Sequence, residues 1–317
     1  MNFVSPKKTP IKTSGYLVIQ SDDAHAGDWY WYNKLKRYNR KYTQFIGCNP
    51  LKMSLEINSR MLDTPDYLTS DRLKKMYDGG AEVINHCQYH ISLGQFYLAK
   101  DARAGDTSIN ITARSMNDTG LHNNQKAGYR YKYLITDGVN SEEVTLQSAT
   151  NPILLATPLT HSYASGAIFK LSASSMRELV EGCHDDLVNI GVTVNGFCFP
   201  YHGGSTYDSN PDAVSYIATL YDTARGSYGG TNSLPDVNWH NLSSFAIRPN
   251  GEPGKSGIDT ILDETVANNY LTFVYGHGET DSVTQGLLDY VIDGAMRRGI
   301  RIIGQQEAYL MLGDNRR

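Results

Sequence analysis

The chain has 317 residues, with 29 Lys+Arg against 33 Asp+Glu and a formal net charge of −4. No basic block exceeds short pairs such as Lys7-Lys8 and Arg316-Arg317, which argues against nucleic acid or an anionic membrane as partner. No apolar run reaches transmembrane length, and residues 1–14 are polar, carry three lysines and lack an apolar core, so neither a membrane span nor a secretory signal is expected. The length suffices for one large domain plus a smaller one. The four cysteines (Cys48, Cys87, Cys183, Cys198) are far apart and form no CxxC, as expected of reduced, buried thiols.

In chain order, an apolar strand at 16–20 runs into Asp22, and a helix follows at 28–41. A short strand is expected at 43–47. Ser70 is placed to cap a helix whose Leu73, Met76 and Tyr77 share a face, with Gly79 and Gly80 as the stop. A strand at 81–85 delivers His86. Beyond residue 171, Ser174 or Ser175 opens a helix carrying Met176, Leu179, Val180, Cys183 and Leu187 at helical spacing, followed by a strand at 194–199. Further strands are expected at 270–275 and 300–303, and helices at 286–298 and 305–312. Repeated strand-then-helix order predicts a mostly parallel α/β architecture. One stretch breaks the rhythm. Residues 104–171 show short alternating runs (108–112, 129–135, 143–146) separated by Gly, Asn, Asp and Pro, the pattern of a small all-β module inserted in a loop. Such insertions usually sit on the surface without harming the host fold. The expected organisation is therefore 1–103 and 172–317 as the two parts of one domain, with 104–171 as the inserted module.

The candidate chemistry falls just past the C-terminal ends of these strands: Asp22 and Asp23, His86, Tyr201, and His277. In a parallel barrel that puts them on one rim, where such folds build active sites. Taken singly, each has an ordinary alternative. An Asp-Asp pair is often a turn or helix cap, two histidines four apart are often surface residues, and His277 between two glycines suits a loop. Together they supply a carboxylate-His-His metal triad, a second carboxylate for a base and a distant histidine for an acid, a set suited to metal-assisted hydrolysis.

At this point the sequence resembles the polysaccharide deacetylases, carbohydrate esterase family four. Gln20, Ser21, Asp22 and Asp23 stand where that family has Thr-Phe-Asp-Asp. His86 and His90, preceded by Gly80 and Glu82, resemble its Gly-x-Glu-Ile-x-x-His-x-x-x-His element. Phe199, Pro200, Tyr201, His202 and Gly203 are similar to its proline-tyrosine motif, and Leu271 to His277 to its closing Leu-to-His motif. The resemblance covers about 16–100 and 171–312. It implies a distorted (β/α) barrel with fewer than eight strands and the removal of acetyl groups from a glycan, a bacterial surface glycan for preference. Carried over by position, Asp23, His86 and His90 would hold a divalent ion, Zn²⁺ first, with Co²⁺, Ni²⁺ or Mn²⁺ as alternatives. Asp22 would be the general base, the Tyr201 backbone N–H an oxyanion donor and His277 the general acid. Pro200 and Tyr201 would also contact substrate.

One departure stands out. Many members of the family place an arginine three residues before the motif tyrosine, paired with the catalytic base; here that position is Cys198. Arg225 and Arg248 are both candidates to replace it, and Arg248, after the apolar Phe245-Ala246-Ile247 run, is the expected substitute. Trp239 is similar to a groove-lining tryptophan of the family, with a half-buried core residue as the alternative. Of Trp29, Tyr30, Trp31 and Tyr32, one or two must lie near the rim or solvent, because a helix cannot turn all four inward. Residues 104–112 and 155–166 resemble small β modules of phage tail proteins. That implies a virion-associated or extracellular enzyme without a signal peptide, with other tail proteins as partners through the insert and a cytoplasmic enzyme as the alternative. The alternative function is a glycan receptor-binding or structural tail protein on the same fold, catalytically weakened at Cys198.

Overall fold

A computed structural model describes residues 15–46, 52–201, 209–226 and 229–313. The chain opens with β1 (Tyr16–Ser21), α1 (Asp28–Ile46), β2 (Met53–Ile57), α2 (Ser70–Asp78) and β3 (Glu82–Asn85). Next come β4 (Gln95–Leu98), β5 (Ser108–Ile109), β6 (Ile111–Thr112), α3 (Leu121–Lys126), β7 (Tyr133–Thr136), β8 (Ser141–Val144), β9 (Ile153–Leu154) and β10 (Ile168–Leu171). The chain then returns to a strand-helix rhythm with α4 (Ala173–Ile190), β11 (Val194–Cys198), α5 (Pro211–Leu220), β12 (Ala224–Arg225), β13 (Phe245–Ala246), α6 (Gly254–Asn268), β14 (Leu271–Gly276), α7 (Ser282–Arg297), β15 (Arg301–Ile303) and α8 (Gln305–Leu312).

The first and last groups form one parallel sheet in the order β12-β11-β3-β2-β1-β14-β13, with β15 pairing beside the first half of β1. A parallel bridge between Arg225 and Leu242 ties β12, at one end of this order, to the segment leading into β13 at the other. The sheet therefore curls into a parallel half-barrel, in keeping with the expected distorted barrel. Covered on both faces, its central strands are uniformly apolar or buried polar; from Leu17 to Ile19 on β1 no side chain meets solvent. Helix ends follow local chemistry. Ser172 caps α4 by accepting from the Ser175 N–H at 3.3 Å, and Gly191 closes the helix in the left-handed region at φ 87°. Asp281 caps α7 by accepting from the N–H groups of Val283 and Thr284, both at 2.9 Å.

The middle group forms a five-stranded antiparallel sheet, β6-β4-β10-β7-β8, with β5 and β9 as a separate pair. It differs from the expected all-β module in two respects. Its strand β4 precedes residue 104, and helix α3 lies within it. Its apolar side chains, Phe96, Ile109, Tyr133 and Phe169 among them, are continuous with those of the parallel sheet in one buried cluster.

Two further expectations change. Residues 43–46 extend α1 rather than form a strand, and the strand lies later, at Met53–Ile57. Adding one residue to a growing helix costs less than nucleating a short strand, so the weak β preference of Thr43 and Phe45 loses. Gly47 lies outside the described residues. Thr69, not Ser70, caps α2, accepting from the Arg72 N–H at 3.3 Å. Cys87, Cys183 and Cys198 are buried free thiols, as expected; Cys48 lies outside the described residues. No helix among the described residues is long and apolar enough to cross a membrane.

The cap at Asp281 provides a local test of helix α7. Asp281→Ala should lower stability by about 1 kcal/mol in denaturant melts at pH 7, whereas Asp281→Asn, which keeps an acceptor, should stay near wild type. Donation from the Thr284 and Val283 N–H groups holds the Asp281 carboxyl below its ordinary range. Its contribution is thus present above about pH 4 and is lost as pH falls through the lowered value.

Candidate metal centre and catalytic pocket

The strand ends place the expected residues together. β1 ends at Ser21 and presents Asp22 and Asp23; β3 ends at Asn85, before His86; β11 ends at Cys198, before Phe199 and Tyr201; β14 ends at Gly276, before His277. Asp22, Asp23, His86, Phe199, Tyr201 and His277 line one cavity of about 390 Å³, shared with His90, Asn58, Met61, Tyr67, His122, Asn123, Lys126 and Tyr275. The loops that carry them are bent. Asp23 (φ 70°), Ala24 (φ 59°), Cys87 (φ 68°) and Tyr201 (φ 56°) all occupy the left-handed region, which non-glycine residues enter at a cost of about 1–3 kcal/mol each and which concentrates at functional sites. Gly278, at φ 64°, has no such choice: a Cβ there would lie 2.2 Å from Asp28 Oδ1. It lets the chain turn sharply right after His277.

Asp23, His86 and His90 form a ligand group whose donor atoms all lie within 4.8 Å of one another. The two histidines lie on an irregular loop, not a helix. Each points Nε2 at Asp23 Oδ1 from 3.2 Å. His86 Nδ1 lies 2.9 Å from the Cys198 carbonyl. A carbonyl only accepts, so Nδ1 carries the proton, and in the neutral ring Nε2 presents a bare lone pair to a carboxylate oxygen. Two acceptors then face one another, and the buried Asp23 Oδ1 has no hydrogen-bond partner. A cation between them resolves the conflict, and one carboxylate with two neutral imidazoles suits Zn²⁺ or a similar divalent ion. Protonation follows the same logic. Burial, opposed by Asp23, pushes His90 down to about 3. Burial works against the Asp23 charge, but His90 and His86 hold its carboxyl well below the usual range.

Asp22 belongs to a second, buried cluster. Arg225, fully buried, donates from Nη2 to Asp22 Oδ2 at 2.6 Å and to Glu56 Oε2 at 2.5 Å, and from Nε to Glu56 Oε1 at 2.8 Å. Nη1 donates to Ser244 Oγ at 2.8 Å and to the Gly226 carbonyl at 3.1 Å, and the guanidinium lies 4.5 Å from the centre of the Tyr275 ring. The expectation that Arg248 partners the base is therefore corrected. Arg248 is exposed at the end of β13, and Arg225 occupies the place. The reason lies in the register of the sheet. Cys198 on β11 pairs directly with Arg225 on β12, so the arginine comes from the neighbouring strand at the same height. Glu56 takes two of the guanidinium's bonds and is held at about 2, burial notwithstanding, by Arg225. Asp22 takes one, and burial, opposed by Arg225 and reinforced by Glu56, pushes its carboxyl well above the ordinary value. Its Oδ1 has no hydrogen-bond partner. Glu56, His86 and Cys198 also lie close enough to count as a ligand group, but Glu56 is spent on Arg225 and His86 Nδ1 on the Cys198 carbonyl.

His277 lines the same cavity, half exposed, with Nδ1 3.4 Å from Glu279 Oε1 and its backbone N–H donating to Glu279 Oε2 at 2.8 Å. Burial opposes its charge, yet Glu279, Asp22 and Asp23 raise it to about 9. Tyr201 packs its ring 4.2 Å from that of His90. Two expected substrate contacts fall away. Pro200 is buried and does not line the cavity, whereas its neighbour Phe199 does. Trp239 packs on Tyr309 at 5.2 Å and on the cluster of Val18, Leu271 and Phe273, away from the cavity, which is the core alternative. His202 and Gly203 lie outside the described residues. Trp31 is buried and Tyr30 is 61% exposed, the division that a helix imposes on that aromatic run.

Several lining residues carried no signal in the sequence. Tyr67 sits in a loop, and His122, Asn123 and Lys126 on α3, inside the stretch expected to be a surface decoration; Glu56, in the buried Arg225 cluster behind the cavity, sits within β2.

No known family profile matches the sequence, and no curated protein sequence matches it. Among solved structures, the chain is similar to a polysaccharide deacetylase from Bacillus cereus and to a Bacillus anthracis protein assigned to that class. Each is 12% identical with a TM-score of 0.37, over 71% of this chain and 45% of the other. It is also similar to pyruvate kinase of Cryptosporidium parvum, at 7% identity and a TM-score of 0.38, over 93% of this chain and 70% of the kinase. The chain thus spans less than half the length of the two deacetylases. Likeness at this level, shared with an unrelated kinase, carries no functional argument.

Two outcomes are expected of this site. Arg225→Ala strands two buried carboxylates and should cost about 3–5 kcal/mol in urea melts, whereas Arg248→Ala should change stability by no more than about 0.5 kcal/mol. In the metal-free protein, Glu279→Gln removes the carboxylate that favours charged His277, so its NMR titration midpoint should move down from about 9.

Proposed function

We propose that the chain is a divalent-metal-dependent hydrolase that removes acetyl groups from a polysaccharide, a bacterial surface glycan for preference. The observation that carries the reading is the convergence in one cavity of Asp23, His86 and His90 with an Arg225-anchored Asp22 and with His277. The sequence motifs supply the acetylated glycan as substrate class. Bound at Asp23, His86 and His90, a divalent ion would polarise the acetyl carbonyl and make a water molecule more acidic. Asp22 has Oδ2 fixed by Arg225 and Oδ1 without a partner, and its burial strengthens it as a proton acceptor. It takes the proton of the attacking water at Oδ1. The Tyr201 backbone N–H donates to the developing oxyanion. His277, kept charged by Glu279, protonates the departing amine or alkoxide as the bond to the acetyl carbon breaks, leaving acetate.

The weakened binding protein drew its support from Cys198, and Arg225 now supplies the guanidinium that Cys198 lacks. A phage-tail setting, with tail proteins as partners through residues 104–171, extends the proposal on the resemblance of that stretch alone.

Acetate release from a panel of acetylated glycans tests the reading. Release should require Zn²⁺ or Co²⁺, cease on chelation, and fall at least about 10²-fold in Asp22→Asn. Tight metal binding without release from any glycan, or release that survives chelation, would sink it.

A further inference from the structure

We infer that Asn123, on α3 of the middle segment, is a positioning residue that holds the metal-binding loop in place through the His90 backbone. The inference rests on reading Asp23, His86 and His90 as metal ligands.

The two histidines are anchored from different sides. His86 is tied to the parallel sheet: its N–H donates to the Ile57 carbonyl at 3.0 Å, its carbonyl accepts from Asn58, and its ring meets the Cys198 carbonyl. His90 lies four residues further along an irregular loop, and the antiparallel segment holds it. Asn123, 4% exposed, donates from Nδ2 to the His90 carbonyl at 2.5 Å. Asn123 and Tyr201 line the same cavity, which the His90 loop borders. The backbones beneath are in contact. At Gly120 (φ 68°) a Cβ would lie 2.8 Å from the His90 carbonyl oxygen and from Ile91 Cα, and 2.9 Å from the Ser92 nitrogen. Midway along the loop, Gln88 Oε1 accepts from the Tyr131 hydroxyl at 3.0 Å. Asn124 in turn grips the Tyr131 backbone, donating to its carbonyl at 2.9 Å and accepting from its N–H at 3.1 Å.

The loop between β3 and β4 thus has one metal ligand set by each sheet. A ligand displaced by a fraction of an ångström loses its bond to the ion, and removing a group that orients a ligand typically weakens metal binding 10- to 100-fold. The 104–171 stretch is accordingly a part of the metal centre.

Zn²⁺ competition titrations and Co²⁺ absorption spectra on the full chain test this, with thermal melts alongside. Asn123→Ala should bind Zn²⁺ about 10- to 100-fold more weakly than wild type, with altered Co²⁺ ligand-field bands. Asn123→Asp keeps the volume but turns an acceptor toward the His90 carbonyl, so it should not restore affinity; a residue that merely filled space would be restored. Gln125→Ala, exposed on the same helix, should match wild type. Affinity and spectrum unchanged in Asn123→Ala or Asn123→Asp would overturn the inference and leave the metal reading standing. An equal loss in Gln125→Ala would overturn it as general loosening of the helix. A wild-type chain that binds no divalent ion would overturn the metal reading, and this inference with it.

Discussion

A guanidinium with no access to water, shared by two carboxylates, is the constraint on which the site depends. Burying Arg225, Asp22 and Glu56 together is costly unless nearly every donor is used, and four of the contacts made by Arg225 are to oxygens of side chains (Glu56 twice, Asp22, Ser244). Satisfying it fixes the relative heights of β1, β2 and β12, because the three charges come from different strands. It also divides labour between the acids. Glu56 absorbs most of the positive charge, so Asp22 is held in place without being neutralised as a proton acceptor. Asp23, one residue on, is turned through a left-handed backbone into a different environment, where imidazoles rather than a guanidinium face it. Two adjacent carboxylates in sequence thereby acquire opposite proton affinities, the condition for distinct chemical roles.

The second organising feature is the join between the two sheets. An inserted segment ordinarily leaves its host untouched because its contacts are with itself. Here the buried apolar cluster runs through both sheets, and α3 forms one wall of the cavity. The first and last strands of the middle segment, β4 and β10, pair with each other, which brings the chain back beside its point of departure. The loop carrying His86 and His90 lies just ahead of this join. Its irregular backbone is accommodated because side chains from both sheets, Asn58 on one side and Asn123 on the other, take up its carbonyl groups.

Much of this was legible in the chain. The apolar run into Asp22, the strand delivering His86, the closing strand before His277 and the helix at Gln305–Leu312 lie where periodicity and strand-end logic put them. The misses have identifiable causes. Residues 43–46 have strand-forming side chains but follow a long helix, and elongation prevailed. Helix α3 is only six residues long and polar outside Leu121, so no periodic signal marks it. Trp239 satisfied a motif by position, but its ring packs against Tyr309 instead of the cavity.

Arg225 and Arg248 show where the boundary falls. Arg248 follows the apolar run Phe245-Ala246-Ile247 and Arg225 only Thr223-Ala224, so the local signal favoured Arg248. The choice was made by the pairing of Cys198 with Arg225 across β11 and β12, a relation between strands distant in sequence. The sequence by itself determined which residue types stand at the strand ends, because a parallel α/β pattern puts every such end on one rim. Only the tertiary structure decided which arginine faces Asp22 and which helix closes the cavity. Register between strands and contact between sheets arise from packing over the whole chain, and no local window records them.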